Sequence, residues 1–252
     1  MLEPILETTR ARLGVLPPIA ELVARSADAP PVRDLVAALA ASGLGIIAEV
    51  KRRSPSRGPL ALDLDPVERA GAYERGGAAA VSVLTEPDHF AGSDADLMAV
   101  RASVSLPVLR KDFTLTAAQI WEARAIGADA ILLIVAALDD AILRSLLDTA
   151  DEVGVAALVE VHDESEAERA LQAGARIVGV NNRDLTTFHV DLATSERLAP
   201  ILSGCEVTIA ESGILKPADA ARMAAAGYDA VLVGESLVRS GDPATALAAL
   251  RT

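Results

Sequence analysis

Lysines and glutamates stand at the ends of several short apolar runs, and side chains of these types can transfer protons. Lysine is rare, since only Lys51, Lys111 and Lys216 occur among 23 basic residues. Arginine does not release its proton at a usable pH, whereas burial can tune the pKa of a lysine. Lys51 and Lys111 follow apolar runs, so we predict that these two lysines act in proton transfer.

Three glutamates, Glu49, Glu160 and Glu211, lie at the ends of apolar runs in the same way. Residues two apart in a strand point to the same side, so Glu49 shares a side with Lys51. Acids and bases in one cavity can supply a general acid and a general base together. A structural ion-pair network is the alternative interpretation, but the occurrence of a glutamate at the end of three apolar runs favours catalysis.

Small residues after the last two apolar runs indicate a phosphate site. The segments ESGI and VGES contain Ser212, Gly213, Gly234, Glu235 and Ser236. Such residues leave backbone N–H groups accessible, and a short helix starting at Ser236 would add its N-terminus to them. Each segment alone is an ordinary turn, whereas the pair on consecutive runs is more specific.

Two further segments that follow apolar runs contain polar residues that could contribute to the same site. The loop KRRSPSRG contains Lys51, Arg52, Arg53 and Arg57 and no acid, in a chain of formal net charge −13. We expect this loop to face a phosphate, and a merely solvated loop is the alternative. In the segment VGVNNRDL, Asn181 and Arg183 are two residues apart and therefore share one face.

The apolar runs that position these residues alternate with helical patterns. We predict strands at Gly45–Val50, Ala79–Leu84, Pro107–Arg110, Ala130–Ile134, Ala156–Val159, Ile177–Val180, Glu206–Ala210 and Ala230–Val233. The helical patterns between and after them are Pro66–Arg75, Asp94–Ala102, Thr116–Ile126, Asp139–Val153, Glu164–Ala173, Leu192–Leu202, Pro217–Ala226 and Pro243–Leu250. Eight similar units favour a closed parallel (β/α)8 barrel, in which catalytic residues lie at the carboxyl ends of the strands.

The chain is expected to form one domain, residues 1–252, with the barrel over residues 45–252. Residues 1–44 form an N-terminal helical extension with helices at Pro4–Leu13 and Pro31–Ala41, which packs over one end of the barrel or helps to form the site. An open doubly wound sheet is the alternative fold. The first strand is not followed by G-x-G-x-x-G, which disfavours a dinucleotide-binding sheet.

Composition narrows the classes of function. With 51% hydrophobic and only 2% aromatic residues, the core must consist of aliphatic side chains. The net charge of −13 argues against a nucleic-acid or polybasic membrane partner. The single cysteine, Cys205, excludes an intrachain disulfide, and the acidic start lacks a secretory signal, so a cytoplasmic location is expected.

Other candidate sites are weak. His89, His162 and His189 show no metal-ligand spacing, and we interpret them as surface or structural residues. Ser54 and Ser56 have no histidine nearby in the sequence for nucleophilic catalysis. We therefore expect no metal site.

Eight segments of the sequence together resemble one family. In chain order they are IIAEVKRRSPSRG, VSVLTEPDHFAGS, PVLRKDF, GADAILLIVAAL, LVEVHDESE, VGVNNRDLTTFHVDL, IAESGI and VLVGESLV. These segments run from about Ile46 to Val238, touch every predicted strand, and are similar to indole-3-glycerol-phosphate synthase. An N-terminal extension is also a feature of that family.

The resemblance implies a substrate, 1-(2-carboxyphenylamino)-1-deoxyribulose 5-phosphate, and three products: indole-3-glycerol phosphate, carbon dioxide and water. It implies no metal or organic cofactor. By this resemblance Lys111 is the general acid of ring closure, Glu160 its acid/base partner, and Lys51 and Glu49 assist. The remaining roles are substrate binding by Asn181, Arg183 and Glu211, apolar walls from Phe90, Phe113, Leu132 and Leu185, and phosphate binding by Ser54, Ser212, Gly213, Gly234, Glu235 and Ser236.

The expected partner is thus a small phosphorylated molecule, with no nucleic acid or membrane, and the expected state is a monomer or a weak homo-oligomer. Two rivals remain. Phosphoribosylanthranilate isomerase needs a carboxylate and a thiol or similar acid/base pair, but Cys205 precedes the seventh strand, away from the predicted site. A non-catalytic sugar-phosphate-binding barrel or regulatory subunit is disfavoured by the presence of Lys51, Lys111 and Glu160.

Overall fold

A closed parallel barrel forms the centre of the computed structural model, which describes residues 2–40 and 43–251. Its eight strands are β1 (Gly45–Val50), β2 (Ala80–Leu84), β3 (Val108–Lys111), β4 (Ala130–Ile134), β5 (Ala156–Val161), β6 (Ile177–Asn181), β7 (Val207–Glu211) and β8 (Ala230–Val233). Each strand pairs in parallel with the next, and β8 pairs with β1. The (β/α)8 TIM-barrel prediction is therefore confirmed, and the open sheet is excluded.

Helices surround the barrel and precede it. They are α1 (Leu2–Leu13), α2 (Ile19–Ala27), α3 (Leu35–Ala40), α4 (Pro66–Arg75), α5 (Pro87–Phe90), α6 (Asp94–Ser103), α7 (Ala117–Ala125), α8 (Asp140–Val153), α9 (Glu164–Ala173), α10 (Ala193–Leu198), α11 (Pro217–Ala225), α12 (Glu235–Val238) and α13 (Pro243–Leu250). Among the described residues, no helix has both the length and the apolar character needed to cross a membrane.

The alternation of side chains along each strand produces two apolar layers. Inward-facing residues such as Ile47, Leu109 and Leu158 fill the barrel, while the neighbouring Val81 and Val159 pack beneath the helices. Both faces of every strand are thus buried, which explains the continuous aliphatic runs of the sequence. The inward layer ends at the carboxyl ends of the strands, where polar residues replace the aliphatic ones.

The N-terminal extension reaches both ends of the barrel. Leu35 and Leu39 of α3 join the apolar cluster inside the barrel at the amino ends of the strands. Leu2 and Ile5 of α1 instead line a cavity at the opposite end. The extension therefore covers one end of the barrel and helps to form the site at the other.

Several boundaries differ from the sequence prediction for local reasons. The helix predicted over Pro31–Ala41 begins at Leu35, because the Asp34 carboxylate accepts a hydrogen bond from the Ala37 N–H (2.9 Å) and so caps the first turn. The predicted end of that helix at Ala41 lies outside the described residues. The helix predicted over Leu192–Leu202 ends at Leu198, shortly before Pro200, which lacks an N–H.

The sequence prediction missed several short elements, among them the 3-10 helix Val135–Ala137. The helices α2 and α5 were not predicted, and neither was a hairpin that pairs Arg53–Ser54 with Gly58–Pro59 within the loop after β1. In α5, a single buried carboxylate from Glu86 accepts hydrogen bonds from the N–H groups of Asp88, His89 and Phe90. A four-residue helix with such a cap carries too few residues to produce a periodic sequence pattern.

A buried carboxylate ties the extension to the barrel. Asp129, 1% exposed, accepts hydrogen bonds from the backbone N–H groups of Arg33 and Val108, both at 2.8 Å. It also accepts one from the guanidinium of the buried Arg101 at 3.1 Å, and that guanidinium donates to the Pro31 carbonyl. One side chain thus joins the extension, β3 and α6.

Replacing Asp129 with alanine should lower the free energy of unfolding by about 3 kcal/mol or more, because Arg101 would stay buried without its carboxylate. Urea denaturation followed by circular dichroism measures this change. Asp151→Ala is the matched control, since Asp151 pairs with Arg176 on the surface and should matter little. Equal losses in the two variants would contradict the role of Asp129.

Candidate active site

A cavity of about 260 Å³ opens at the carboxyl ends of the barrel strands. It is lined by the predicted acid/base residues Glu49, Lys51, Lys111, Glu160 and Glu211. Four of these side chains belong to β1, β3, β5 and β7, and Lys51 directly follows β1. Up to 162 positions separate them along the chain (211 − 49). Because alternate residues point inward, the barrel brings these distant side chains together.

Lys111 lies at the centre of this charged cluster. Its Nζ atom donates hydrogen bonds to Glu211 Oε2 at 2.5 Å and to Glu160 Oε2 at 3.0 Å. Burial of Lys111 lowers its pKa, but the charges of Glu211, Glu160 and Glu49 outweigh burial and raise it above the usual range. Lys111 is therefore held as an ammonium group inside the cavity.

The two carboxylates that bind Lys111 differ in proton affinity. Burial raises the pKa of Glu160, but Lys111, His162 and Asn181 outweigh burial and hold it below its ordinary value. Burial also raises the pKa of Glu211, and with the repulsion from Glu160 it prevails over Lys111, so the pKa of Glu211 rises to about 7. Such a pair can supply a charged base and a proton-carrying acid side by side.

Glu49 and Lys51 form a second pair at the edge of the cavity. The Lys51 ammonium donates a hydrogen bond to Glu49 Oε1, and Glu49 is buried. The absence of a side chain at Gly234 makes room for this carboxylate, because a Cβ atom there would lie 2.3 Å from Glu49 Oε1. Gly234, which follows β8, therefore leaves the space that the Glu49 carboxylate occupies.

Asn181 and Arg183 line the cavity beside Glu160, as the shared face predicted. Asn181 Nδ2 donates a hydrogen bond to Glu160 Oε1 at 3.1 Å, and Asn181 Oδ1 accepts one from the Arg183 N–H at the same distance. The Arg183 guanidinium donates to the Phe188 carbonyl at 3.3 Å. These bonds hold the loop after β6 in place against the charged cluster.

The remaining wall of the cavity is apolar. Phe90 and Phe113 face each other with ring centroids 6.2 Å apart, and Leu132 and Leu185 also line the space. The residues missed by the sequence prediction include Leu2 and Ile5 of α1, together with Leu84, Ile134, Phe188 and Val190. Nothing in the sequence near α1 indicates which end of the barrel it covers, so only the assembled fold shows this contribution.

Most of the predicted phosphate residues also line the cavity, and they follow β1, β7 and β8, which are consecutive strands of the barrel: Ser54, Ser212, Gly213, Gly234 and Glu235. Ser212 and Gly213 both adopt positive φ angles, 63° and 85°. Ser236 does not line the cavity, since its hydroxyl donates to the Ile214 carbonyl at 3.2 Å. The short helix predicted to start at Ser236 begins one residue earlier, at Glu235.

The basic loop after β1 corrects one prediction. Arg52 and Arg53 do not face the cavity: Arg52 pairs with Asp96, and Arg53 donates to the carbonyls of Asp88 and His89. These bonds fasten the loop to the segment after β2. Of the basic residues in the loop, Lys51 and Arg57 line the cavity, and Arg57 Nε lies 3.4 Å from Glu235 Oε1.

His162 is the charged neighbour of the site that the sequence prediction did not identify. It lies two residues after Glu160, and its Nε2 atom is 3.3 Å from Glu160 Oε1. Burial lowers its pKa, but Glu160 and Glu166 outweigh burial and raise the pKa to about 10. The spacing of Glu160, His162 and Glu166, two and four residues apart, was the signal in the sequence.

A buried ammonium group between unequal carboxylates, at the strand ends of a (β/α)8 barrel, defines an acid–base enzyme. The model of one family, indole-3-glycerol phosphate synthase, matches residues 3–250. The chain belongs to this family. It is a decarboxylating carbon–carbon lyase of tryptophan biosynthesis, and the resemblance seen in the sequence is confirmed.

Two relatives that carry the name indole-3-glycerol phosphate synthase illustrate the match. Those of Mycobacterium avium (strain 104) and Mycobacterium tuberculosis (strain ATCC 25618 / H37Rv) are each 54% identical over 255 residues, covering 100% of this chain and 94% of the relative.

Solved structures share the fold at low identity. A 3-hexulose-6-phosphate synthase superimposes with a TM-score of 0.64 at 19% identity, over 82% of this chain and 98% of its own. A thiamine phosphate pyrophosphorylase from Pyrococcus furiosus gives 0.62 at 17%, over 86% of this chain and 96% of its own. At such identities the similarity concerns the fold alone.

Gly179 provides a test of the charged cluster. A Cβ atom at Gly179 would lie 2.2 Å from Glu211 Oε1 and 3.0 Å from a methyl carbon of Leu158. The Gly179→Ala variant should therefore push the Glu211 carboxylate away from Lys111 and lower kcat/KM by about a hundredfold.

The thermal unfolding midpoint of Gly179→Ala should change far less than its activity, because the crowded atom is the end of a side chain. Gly204→Ala is the matched control, since a Cβ atom at Gly204 meets no atom within 4 Å. Full activity in Gly179→Ala would show that catalysis does not depend on the position of the Glu211 carboxylate.

Proposed function

We propose that Lys111 is the general acid of ring closure, with Glu160 as its acid/base partner and Lys51 and Glu49 assisting. One observation carries this proposal: the Lys111 ammonium is held between Glu160 and Glu211 at the strand ends, beside an apolar wall. The reaction converts 1-(2-carboxyphenylamino)-1-deoxyribulose 5-phosphate to indole-3-glycerol phosphate with loss of carbon dioxide and water.

Ring closure forms a bond between the carboxylate-bearing ring carbon and the ketone carbon. The π electrons of the ketone move to its oxygen, and a positioned ammonium lowers the barrier by donating a proton to that oxygen. Lys111 is the ammonium in the cavity that two carboxylates orient. The carbon–carboxyl bond then breaks, carbon dioxide leaves, and the bonding electrons restore the aromatic ring.

Dehydration completes the reaction. The hydroxyl formed from the ketone must leave as water, which needs a proton donor, and the adjacent carbon must lose a proton to a base. Glu160 as a carboxylate suits the base, while Lys51 and Glu49 form a second proton-exchanging pair across the cavity. Two lysines and several carboxylates thus match a reaction with more proton transfers than one pair can serve.

The two ends of the substrate match the two sides of the cavity. Phe90, Phe113, Leu132 and Leu185 provide an apolar surface for its aromatic ring. Ser54, Ser212, Gly213, Gly234 and the backbone of the Glu235–Ser236 turn bind its phosphate on the other side. Asn181, Arg183 and Glu211, which lie between these sides, bind its hydroxyls and carboxylate.

The chain acts on this small molecule as a monomer or a weak homo-oligomer in the cytoplasm, without a nucleic-acid partner. The net charge of −13 and the single cysteine, Cys205, support this part of the proposal. Cys205 precedes β7 and does not line the cavity, so the geometry does not favour the isomerase alternative.

Lys111→Ala should lower kcat by about a thousandfold or more, since it removes both the general acid and a charge that stabilises the developing oxyanion. Indole fluorescence during turnover measures the rate. Lys216→Ala is the matched control, because Lys216 is exposed and outside the cavity. A loss below tenfold in Lys111→Ala, with the fold intact, would remove Lys111 from this role.

Glu235→Ser tests the phosphate side. Glu235 places a carboxylate beside the proposed phosphate site and pairs with Arg57 and Arg239. Removing this charge should lower KM about two- to fivefold, the range of a partly exposed ion pair, with kcat nearly unchanged. Glu152→Ser, on the exposed face of α8, is the control. An increase in KM would place the phosphate elsewhere.

A further inference from the structure

His162 lies behind the charged cluster rather than in the cavity. It follows the last residue of β5, and its side chain is 12% exposed without lining the cavity. Glu160 and His162 are two residues apart, so their side chains leave the chain on the same side. Glu160 lines the cavity, whereas His162 contacts Glu160 without lining the cavity itself.

The imidazole ring is fixed from its outer side. Glu166 Oε2 accepts hydrogen bonds from both the backbone N–H and the Nδ1 atom of His162, each at 2.9 Å. Glu166 itself is fixed, since its N–H donates to the Asp163 carboxylate that caps α9. The exposed Asp184 is a further carboxylate in the field of His162.

The inner side of the ring points at the catalytic carboxylate. Nε2 is 3.3 Å from Glu160 Oε1, and within the described ranges it makes no hydrogen bond of good geometry. Glu160 Oε1 also accepts from Asn181, while Glu160 Oε2 accepts from Lys111. Glu160 therefore has one cation at each oxygen, and the Nε2 proton of the imidazolium remains available to it.

We propose that His162 is a positioning residue, whose imidazolium keeps Glu160 ionised and oriented while Lys111 gives its proton to the substrate. The proposal rests on the role of Glu160 stated above. Glu166 takes part by holding the ring and by favouring its protonated form.

The need for a second cation follows from burial. Glu160 is 3% exposed, so as a carboxylate it depends on neighbouring positive charge. Once Lys111 has donated its proton, Lys111 is neutral. Glu211, on the other side of Lys111, carries a negative charge or none, so it cannot stabilise the Glu160 carboxylate. Without His162, Glu160 would then take up a proton and could not act as the base of dehydration.

The test compares His162→Gln with wild type across pH 5.5 to 8.5. Loss of the cation raises the pKa of Glu160, so the fraction of Glu160 that is ionised falls as the pH falls. We expect kcat to drop about tenfold at pH 7.5 and about a further tenfold at pH 5.5, with KM within about twofold of wild type. Glu166→Gln should change kcat in the same direction by less.

Two controls separate this effect from damage to the fold. His189→Gln makes the same chemical change at an exposed histidine and should leave the pH profile unchanged. His162→Lys returns a cation to the position and should recover much of the activity at pH 5.5. A wild type to His162→Gln ratio that is constant with pH, or a loss confined to KM, would overturn the proposal.

A measurement on the unmodified protein tests the role of His162 even if the variants do not fold. The proposal requires that the His162 imidazole, followed by nuclear magnetic resonance, stays protonated at pH 7.5. A neutral ring at that pH would overturn it. Glu160→Gln separates the role of Glu160 from that of His162. Full activity in Glu160→Gln would refute the role of Glu160, whereas a wild type to His162→Gln ratio of kcat that does not change with pH would refute only the role of His162.

Discussion

The Lys111 ammonium, buried beside Glu160 and Glu211, is the interaction on which the arrangement of the site depends. Removing such charges from water is costly, and the cost is offset only when each charge meets well-placed partners. The strands place the three groups within hydrogen-bonding distance, and Gly179 and Gly234 leave space for the neighbouring carboxylates. The aliphatic layer below them supplies the rigid, dry support that keeps these distances short.

This balance of charges also gives the two carboxyl groups different protonation states. One carboxylate lies against two cations and stays ionised, while another, with less compensation, holds a proton near neutral pH. A family that carries out ring closure, decarboxylation and dehydration in one cavity needs groups of both kinds without moving the substrate between sites. Barrel geometry suits this demand, because the ends of several different strands contribute side chains to one cavity.

Much of this arrangement could be predicted from the sequence, and the reasons are local. Continuous aliphatic runs located the strands to within about two residues, and alternation placed Glu49, Lys51 and Glu160 inside the barrel. The predictions for Arg52 and Arg53 were wrong because their partners lie in the helices α5 and α6, and no local sequence pattern reveals such contacts. The cavity-lining role of α1 escaped prediction for the same reason, since it depends on the assembled barrel.

The extension has a consequence for how the chain reaches this structure. Residues 2–40 are synthesised before the barrel strands, yet α3 packs against β1, β2 and β7, and α1 borders a cavity whose walls include residues after β8. These surfaces are complete only after β7 and β8 have been synthesised. The contacts of α1 and α3 with the barrel are therefore completed only when the barrel closes, after β8 has been synthesised.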